Sequence, residues 1–540
     1  MSTADSSDAS QGSAESAWAP LRNSLYRSLF IAQLISNIGM WMATVGSQWF
    51  LVERSASPTI IALVQTASMA PTLLLSLPGG VFADSYDRRR LLIGLSIYSA
   101  VMALLLAVLA WADVLTPALL LAITFLLGAG SALTAPAWQA IQPELVPREQ
   151  ISAASSLGSI TVNAARAIGP AIGGLLVAAG GPGAVFALNA LSFVVLLWSL
   201  WRWKRPPDRR LFEREHLTTS MWIGLRYVVA APTVKRILVR SALFAFPGSA
   251  LWSLLPLSAR RWGLGSGGYG VVLGVLGIGA LLGAALMPTL RKLPPNVLLA
   301  GSALVFGAAT AAAASAPLWL ALIILLFAGI AWIGTLTTLN AGLQLTLPAW
   351  VRARGMAVYL MVFMGSQSIG ALVWGALASK AGLSTALFVA AGCLLLAALS
   401  VVVLPMDPMT GRLDRALSTA WATPTLIFEP RPDDGPVLVS ISYQVRPDHF
   451  ARFTEAMRVV RRARSRSGGR AWRLYRSGDR EGLLIEQFVV ESWVEYERQH
   501  AERWTGYDHD AVVTALSCTT DGQWHERRFF AVDLHHPPHT

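Results

Sequence analysis

The chain has 540 residues, of which 54% are hydrophobic and 14% are charged, and its mean hydropathy is +0.51. This composition lies outside the range of soluble globular proteins. The net charge of +12 would suggest a nucleic-acid partner in a soluble protein, but the basic residues follow loops between apolar segments, so we expect no nucleic-acid binding.

The first 20 residues are polar and rich in serine and alanine. They lack the basic start and the apolar core of a signal peptide. We therefore expect residues 1–20 to form a disordered tail.

Apolar runs of about 20 residues follow, and each is long enough to cross about 30 Å of hydrocarbon. They predict an all-α membrane protein with twelve transmembrane helices, followed by a small α+β domain. The predicted spans are 27–52, 58–82, 91–112, 117–142, 151–179, 184–203, 237–257, 268–290, 296–315, 317–342, 354–379 and 383–404.

The charges divide between two parts of the chain. The membrane part and its N-terminal tail hold 25 basic and 12 acidic residues, whereas residues 406–540 hold 18 and 19. Most of the basic residues of the membrane part fall in alternate loops, which predicts that both termini are cytoplasmic in an inner (plasma) membrane. Arg260 and Arg261 fall on the opposite side and are exceptions.

The first predicted span carries a polar stripe. Its members recur every three or four residues and so share one helix face. Such a face usually contacts protein or a cavity, and we favour a cavity over plain interhelical hydrogen bonding. The stripe consists of Gln33, Asn37, Trp41, Thr44 and Gln48.

A short loop separates the second and third spans. A glycine that permits close backbone approach is followed by an aspartate and then by a basic cluster. The pattern resembles the signature loop between helices 2 and 3 of major facilitator superfamily transporters, with departures at Ser85 and Asp87. The matching residues are Gly80, Asp84, Arg88 and Arg89. We expect this loop to act as an inward-side gate and topological anchor.

The fifth span contains an arginine and a Gly-Pro-x-x-Gly-Gly run. The run resembles the helix 5 motif of antiporter branches, and with the arginine it resembles the transmembrane secretion effector branch that includes the enterobactin exporter. Arg166 is either a cavity cation for an anionic substrate group or a structural arginine. We expect the glycines to serve packing and bending. The residues singled out are Asn163, Arg166, Gly169, Pro170, Gly173 and Gly174.

Other polar residues in the spans are weaker candidates for the cavity. They are Gln139 and Gln142 in the fourth span, Asn340 and Gln344 around the end of the tenth, and Gln367 in the eleventh. No span contains a carboxylate or a histidine near its middle, the groups that usually relay protons. Proton coupling is therefore implied by the family resemblance alone, and Asp84 and Asp113 are the nearest substitutes.

The membrane part repeats with an offset of 203 residues, which pairs Gly80 with Gly283 and Arg88 with Arg291. Asp84 pairs with Met287, so the acid is lost in the second copy. The repeat predicts two six-helix bundles around a central cavity. Their predicted ranges are 21–203 and 236–405, joined by a cytoplasmic linker at 204–235.

The composition changes after Pro405. Residues 406–436 are predicted to be a linker, and alternating apolar residues from Val437 begin a strand. A helix after Pro447, strands at 470–476 and 482–490, a helix after Ser492 and a strand at 523–533 follow. This β-α-β-β-α-β order predicts a cytoplasmic ferredoxin-like domain over 437–534.

The tail holds one further candidate, His500, on a predicted helix face with Trp493, Tyr496 and Trp504. We favour a packed face over a ligand pocket. The domain resembles small dimeric monooxygenase-type folds, which leaves a tail enzyme or a homodimerising or regulatory module as alternatives. Cys393 and Cys518 give neither a disulfide framework nor a metal spacing, and we expect no cofactor.

The family resemblance implies a secondary active transporter, not an enzyme. It would lie in the lipid bilayer and export a small amphipathic molecule, such as a siderophore or a drug, by alternating access. No phosphate-binding Gly-Lys-Ser/Thr loop is present in the sequence, which disfavours ATP-driven transport by this chain alone.

Overall fold

The computed structural model describes residues 18–203, 231–406, 428, 430–431, 434–501, 506–520 and 522–532. Most of the predicted N-terminal tail and of the two predicted linkers lies outside these ranges.

The membrane part is a succession of helices. Ten of the described helices are long and apolar enough to cross a bilayer, so the chain is a multi-pass membrane protein. The helices are α1 Ser24–Glu53, α2 Pro58–Ser85, α3 Arg88–Trp111, α4 Pro117–Leu145, α5 Ile151–Arg202, α6 Pro232–Arg261, α7 Ser266–Leu290, α8 Pro295–Ser315, α9 Leu318–Thr346, α10 Ala349–Ala381 and α11 Leu383–Leu399.

The count differs from the predicted twelve at two places. Helix α5 covers both the fifth and the sixth predicted spans with 52 residues, and Gly181 inside it has a left-handed φ of 72° that breaks its course. A straight helix of that length would measure about 78 Å, more than twice the hydrocarbon thickness. The last helix, α11, has 17 residues and is shorter than a typical span. Ten described helices are therefore long enough to span, the break at Gly181 falls between the fifth and sixth predicted spans, and the count of twelve stays a prediction.

Polar side chains close the helix ends. The side chains of Asn23, Asp87 and Thr116 accept hydrogen bonds from the first turns of α1, α3 and α4. Arg260 donates to the carbonyl of Val52 at the end of α1. The last carbonyls of a helix lack internal partners and carry partial negative charge, so an arginine there is stabilising.

This capping explains the two arginines that break the positive-inside pattern. Besides the bond from Arg260 to α1, Arg261 donates to the carbonyl oxygens of Ala314, at 2.6 Å, and Ala316, at 3.1 Å, at the end of α8. Each guanidinium thus satisfies backbone groups of another helix, and local hydrogen bonding accounts for its position.

Contacts divide the chain into two compact units, Met1–Leu211 with Arg240–Thr338 and Leu360–Val403, and Phe212–Val239 with Leu339–Tyr359 and Leu404–Thr540. The first unit has a continuous apolar core that includes Val45, Leu51 and Phe306. Aromatic rings concentrate around Trp332, whose ring centroid lies 5.3 Å from that of Phe306.

The second unit includes the C-terminal α+β domain. Its four strands are β1 Val437–Gln444, β2 Arg470–Arg476, β3 Leu483–Val490 and β4 His525–Phe530, and its helices are α12 Phe450–Ser467, α13 Trp493–Ala501 and α14 Gly506–Leu516. The sheet is antiparallel with the order β2-β3-β1-β4. The predicted α+β domain and its strand and helix order are confirmed, with an additional helix before β4.

A polar cluster lies inside this domain, around Glu486. Its carboxylate accepts from Arg464 Nε at 3.2 Å, Trp472 Nε1 at 2.8 Å and Tyr443 OH at 2.8 Å. Glu486 and Arg464 are fully buried. Burial, and then the adjacent Glu486 carboxylate, raise the pKa of the Tyr443 phenol well above its usual value, so the phenol remains a neutral donor.

The cluster generates a stability prediction. Glu486→Leu should cost the C-terminal domain about 3–5 kcal/mol, because it leaves the Arg464 charge buried without its carboxylate. Glu455→Leu, which breaks the exposed pair of Glu455 with Arg458, should cost less than about 1 kcal/mol. Hydrogen exchange of the β1 and β3 amides in the full chain measures both changes. Equal exchange rates in the two variants would contradict a stabilising cluster.

Candidate functional site

Helix α5 contacts α1 and α7 through its glycines. A Cβ on Gly169 would lie 2.6 Å from the Cβ of Trp41, and one on Gly173 would lie 2.8 Å from the Cα of Met42. A Cβ on Gly174 would lie 2.8 Å from the Cα of Gly270. These backbones approach so closely because no side chain intervenes. The glycine run therefore fixes α5 against α1 and α7.

Arg166 lies three residues before this run, on the same helix. Its guanidinium stands over the indole of Trp41, with Cζ 5.4 Å from the ring centroid. The Nε and Nη1 atoms are buried and have no hydrogen-bond partner among the residues that the structure describes. A buried donor without an acceptor is costly. A ligand that offers hydrogen-bond acceptors to this arginine would remove that cost and so gain binding free energy.

A row of indoles extends from Trp41 toward later helices. The Trp41 ring lies 5.9 Å from that of Trp252 on α6, and Trp252 lies 5.4 Å from Trp332 on α9. Both later side chains are buried, and their Nε1 atoms have no acceptor within the described ranges. The row links the arginine to the second series of helices through aromatic contacts.

Gln48 lies at a junction between early and late helices. Its amide nitrogen donates to the carbonyl of Trp252 at 3.3 Å, and its oxygen accepts from Tyr269 OH at 2.5 Å. The side chain is 1% exposed. The structure thus places Gln48, predicted as a cavity residue, inside a contact between α1, α6 and α7.

The remaining members of the polar stripe are partly exposed. Gln33 donates to Asn37 at 3.1 Å, and Thr44 donates to the carbonyl of Met40 in its own helix. The Oε1 of Gln33 is buried and has no partner in the described part of the chain. Four members of the stripe therefore lie on a partly exposed face of α1. Gln48, at the C-terminal end of the stripe, is buried.

The weaker candidates lie on several helices. Gln139 is exposed, and Gln142 and Asn163 are half-buried. Gln367 is 2% exposed. In the second unit, Gln344 donates to Asn340 at 2.6 Å. Asn163 lies on the same helix as Arg166, three positions earlier, and the cavity role of these residues stays a prediction.

The signature loop is a two-residue junction between α2 and α3. Arg88 pairs with Glu144 at 2.9 Å, and Arg89 donates to the carbonyls of Leu200 and Trp201 at the end of α5. The surroundings of Gly80 and the side chain of Asp84 lie outside the described residues. Both described motif arginines hold helix ends of the first half together, and the predicted gating role stays a prediction.

The tail candidate His500 lies in α13, but its side chain and Trp504 lie outside the described residues. Trp493 and Tyr496 of the same predicted face are buried and stacked, with centroids 5.0 Å apart. Tyr496 donates to Glu526 and accepts from Arg528. The predicted tail-mediated homodimer stays a prediction.

Sequence reasoning missed three aromatic residues of this site and, nearer the start of α6, a buried arginine. Arg240 on α6 is 6% exposed, and an arginine inside an apolar run was visible in the sequence. Trp252, Tyr269 and Trp332 had no such signal, because an aromatic residue in a membrane span is most often part of the apolar packing.

Membrane-length apolar helices with a buried cation and a polar stripe are typical of a membrane transporter. The chain belongs to the transmembrane secretion effector family of the major facilitator superfamily, whose family description matches residues 15–528. This assignment agrees with the predicted transporter and with the expectation that the chain is not an enzyme.

Among curated relatives, the chain is 28% identical over 270 residues to an enterobactin exporter of Shigella boydii, covering 48% of this chain and 62% of the relative. It is 26% identical over 267 residues to a staphyloferrin A transporter of Staphylococcus aureus, covering 49% and 66%. The match thus spans slightly less than two thirds of the length of either relative.

Solved structures show the same fold. A bacterial homologue of the human lysosomal transporter Spinster, in an inward-facing and occupied conformation, matches with a TM-score of 0.58 and 17% identity, over 71% of this chain and 97% of that one. A single-residue mutant of the nucleoside transporter NupG matches with a TM-score of 0.58 and 14% identity, over 71% of this chain and 100% of that one.

The glycine contacts generate a second prediction. Gly174→Ala should lower the thermal stability of the detergent-solubilised protein, because its Cβ would meet the Ser266 carbonyl at 2.5 Å. Gly392→Ala in α11 should leave stability unchanged or raise it by about 0.5–1 kcal/mol, since no atom lies within 4 Å and alanine favours helix. Differential scanning fluorimetry compares the two variants. A Gly174→Ala protein as stable as Gly392→Ala would refute the close α5–α7 contact.

Proposed function

We propose that the chain is a secondary active exporter of a small amphipathic molecule, in the class of a siderophore or a drug. Two relatives of the chain, an enterobactin exporter and a staphyloferrin A transporter, support this substrate class. The family assignment favours transport over a tail enzyme.

The observation that carries the proposal is the state of Arg166. Its Nε and Nη1 atoms are buried without an acceptor among the described residues, and its guanidinium faces the indole of Trp41. An arginine in apolar surroundings is stabilised by an opposite charge, and its planar fork suits a carboxylate or another planar anion. The substrate would therefore carry an anionic group beside an apolar or aromatic body that packs on the indoles.

Contacts between early and late helices support an alternating-access cycle. Thr59 near the start of α2 bonds to Gly375 and Ser379 near the end of α10, and Gln48 bonds to α6 and α7. These contacts lie toward the end of the bundle where Arg260 caps α1. We interpret these contacts as the closure of one end of the bundle. Alternating access would require this end to open at another stage of the transport cycle.

The topology that accompanies this proposal has twelve spans in two six-helix halves, 21–203 and 236–405, with both termini cytoplasmic in the inner membrane. The basic loops support this topology. The two exceptions on the opposite side, Arg260 and Arg261, hydrogen-bond to helix ends, so their position has a local explanation. The closed end would then be the outer one.

Variants of Arg166 test the substrate-binding role. Arg166→Gln should reduce efflux of an anionic aromatic substrate about tenfold or more, because a charge-assisted hydrogen bond is lost, and should spare a neutral analogue. Arg166→Lys keeps the charge but loses the planar fork. Its efflux rate for the anionic substrate should lie between those of the wild type and Arg166→Gln. Initial efflux rates from loaded cells measure both effects.

The matched control is Arg202→Gln, which removes an exposed arginine from the end of the same helix. It should leave both rates unchanged. Equal loss of anionic and neutral transport in Arg166→Gln would assign the residue a structural role, whereas the proposed export would stand if the wild type still pumps.

Proton coupling is the second part of the proposal, and it rests on the family resemblance. An uncoupler that collapses the proton gradient should abolish efflux, because a secondary transporter has no other energy source than an ion gradient. The measurement is efflux from energised cells with and without the uncoupler, with a sodium ionophore as the comparison. Efflux that persists under the uncoupler would exclude protons as the coupling ion.

A further inference from the structure

The C-terminal domain is almost neutral, but its charges are divided along the chain. Residues 450–480 contain ten arginines and two carboxylates, whereas residues 481–540 contain eleven carboxylates and four arginines. No lysine occurs between residues 381 and 540. The positive charge is thus concentrated in one helix and the strand that follows it.

The fold gathers some of these arginines on one surface. One side of α12 is buried through Phe453, Met457 and Val460, and the opposite side is exposed. In the edge strand β2, Arg476 pairs with the buried Leu484 and so lies on the core face of the sheet, whereas Arg473 pairs with Gln487 and lies on the other face. The arginine face, as we name it, consists of the exposed side chains of Arg458, Arg461 and Arg462 on α12, Arg476 on β2, and Arg480 in the turn after it.

The helix and strand portions of the arginine face are joined. The Cζ of Arg461 lies 5.7 Å from the ring centroid of Trp472 in β2. One member, Arg458, pairs with the carboxylate of Glu455 at 2.6 Å. This pair offsets only a minor part of the positive charge on this surface.

Such a surface suits a ligand with many phosphates. Clustered like charges repel one another, and counter-charges relieve the repulsion. Arginine binds phosphate oxygens in a bidentate manner, which lysine cannot do. The covalent connection between α11, which ends at Leu399, and β1, which begins at Val437, keeps the domain close to a bilayer and raises the local concentration of headgroups.

We propose that the arginine face binds anionic phospholipid headgroups in the leaflet on the side of the tail. The membrane surface thereby orients the C-terminal domain, with the acidic part of the domain directed away from the lipid. The inference requires that the chain is embedded in a membrane, and it is independent of the transported substrate and of the direction of transport. A nucleic acid is the competing polyanion, but no covalent connection holds it near the domain.

The experiment uses the full chain in nanodiscs of phosphatidylcholine alone or with about one third phosphatidylglycerol. Phenylglyoxal modifies accessible arginines, and peptide mass spectrometry gives the rate at each site. We expect Arg458, Arg462 and Arg476 to react about threefold or more slowly in the anionic discs. The protection should disappear at about 1 M salt, where the screening length falls to about 3 Å.

The chain provides an internal control in Arg527, an exposed residue of β4 at the opposite edge of the sheet. Its rate should be equal in both discs. The combined variant Arg458→Gln, Arg462→Gln and Arg476→Gln should lose the protection of Arg461 and Arg480, whereas Arg527→Gln should keep it. The substituted side chains are exposed, so the fold should persist.

Equal reaction rates at the arginine face in the two kinds of disc would overturn the proposal. Protection by added transfer RNA in phosphatidylcholine discs, without protection by phosphatidylglycerol, would overturn it in favour of a nucleic-acid partner. Efflux assays in cells report transport separately, so the outcome here and the proposed export can fail independently.

Discussion

A bilayer interior offers no hydrogen-bond partners to a polypeptide, and most of the described membrane part follows from this constraint. Backbone groups are satisfied within helices, and the groups left over at helix ends are satisfied by side chains such as Asn23, Arg89, Arg260 and Arg261. Arginines that count as topological signals in the sequence are therefore also structural donors. A charge count alone cannot separate these two roles.

The same constraint makes the exceptions informative. Arg166, Trp252 and Trp332 carry polar atoms that are buried without partners in the described ranges. Each such group destabilises the folded state by about 1–3 kcal/mol. The atoms on these three residues are all donors. Donors of this kind are chemically complementary to carboxylates, carbonyls and phenolate oxygens, and they offer little to a cationic group.

Much of the fold could be predicted from the sequence, because long apolar runs and alternating strands leave clear patterns. Helix α8 begins at Pro295 and ends at Ser315, within one residue of its predicted span, and β2 matches its predicted range of 470–476. The division of α5 was also visible, because the glycines and proline around Gly181 separate the predicted spans 151–179 and 184–203, although helical backbone continues on both sides of the break. The row of indoles was hidden, since contacts between distant helices depend on packing that one sequence does not encode in a periodic form.

The candidate site divides in a similar way. The polar stripe and Arg166 were visible, because a polar side chain in an apolar run is costly and conspicuous. The sequence did not show which of these residues contacts the later helices of the bundle. Gln48 differs from Thr44 by one helical turn, yet both ends of its amide bond across the interface while the hydroxyl bonds within its own helix. Depth along the helix decides the difference, and depth follows from the tertiary arrangement.

The contact of Gly174 with Gly270 has a mechanical meaning beyond packing. Where two helices touch through glycine, the backbones themselves set the distance between the helix axes, and no change of rotamer can adjust it. The contact therefore acts as a fixed spacer between α5 and α7. Any side chain larger than hydrogen at this point would push α5 away from α7, and the displacement would reach Arg166, which lies eight residues earlier on the same helix.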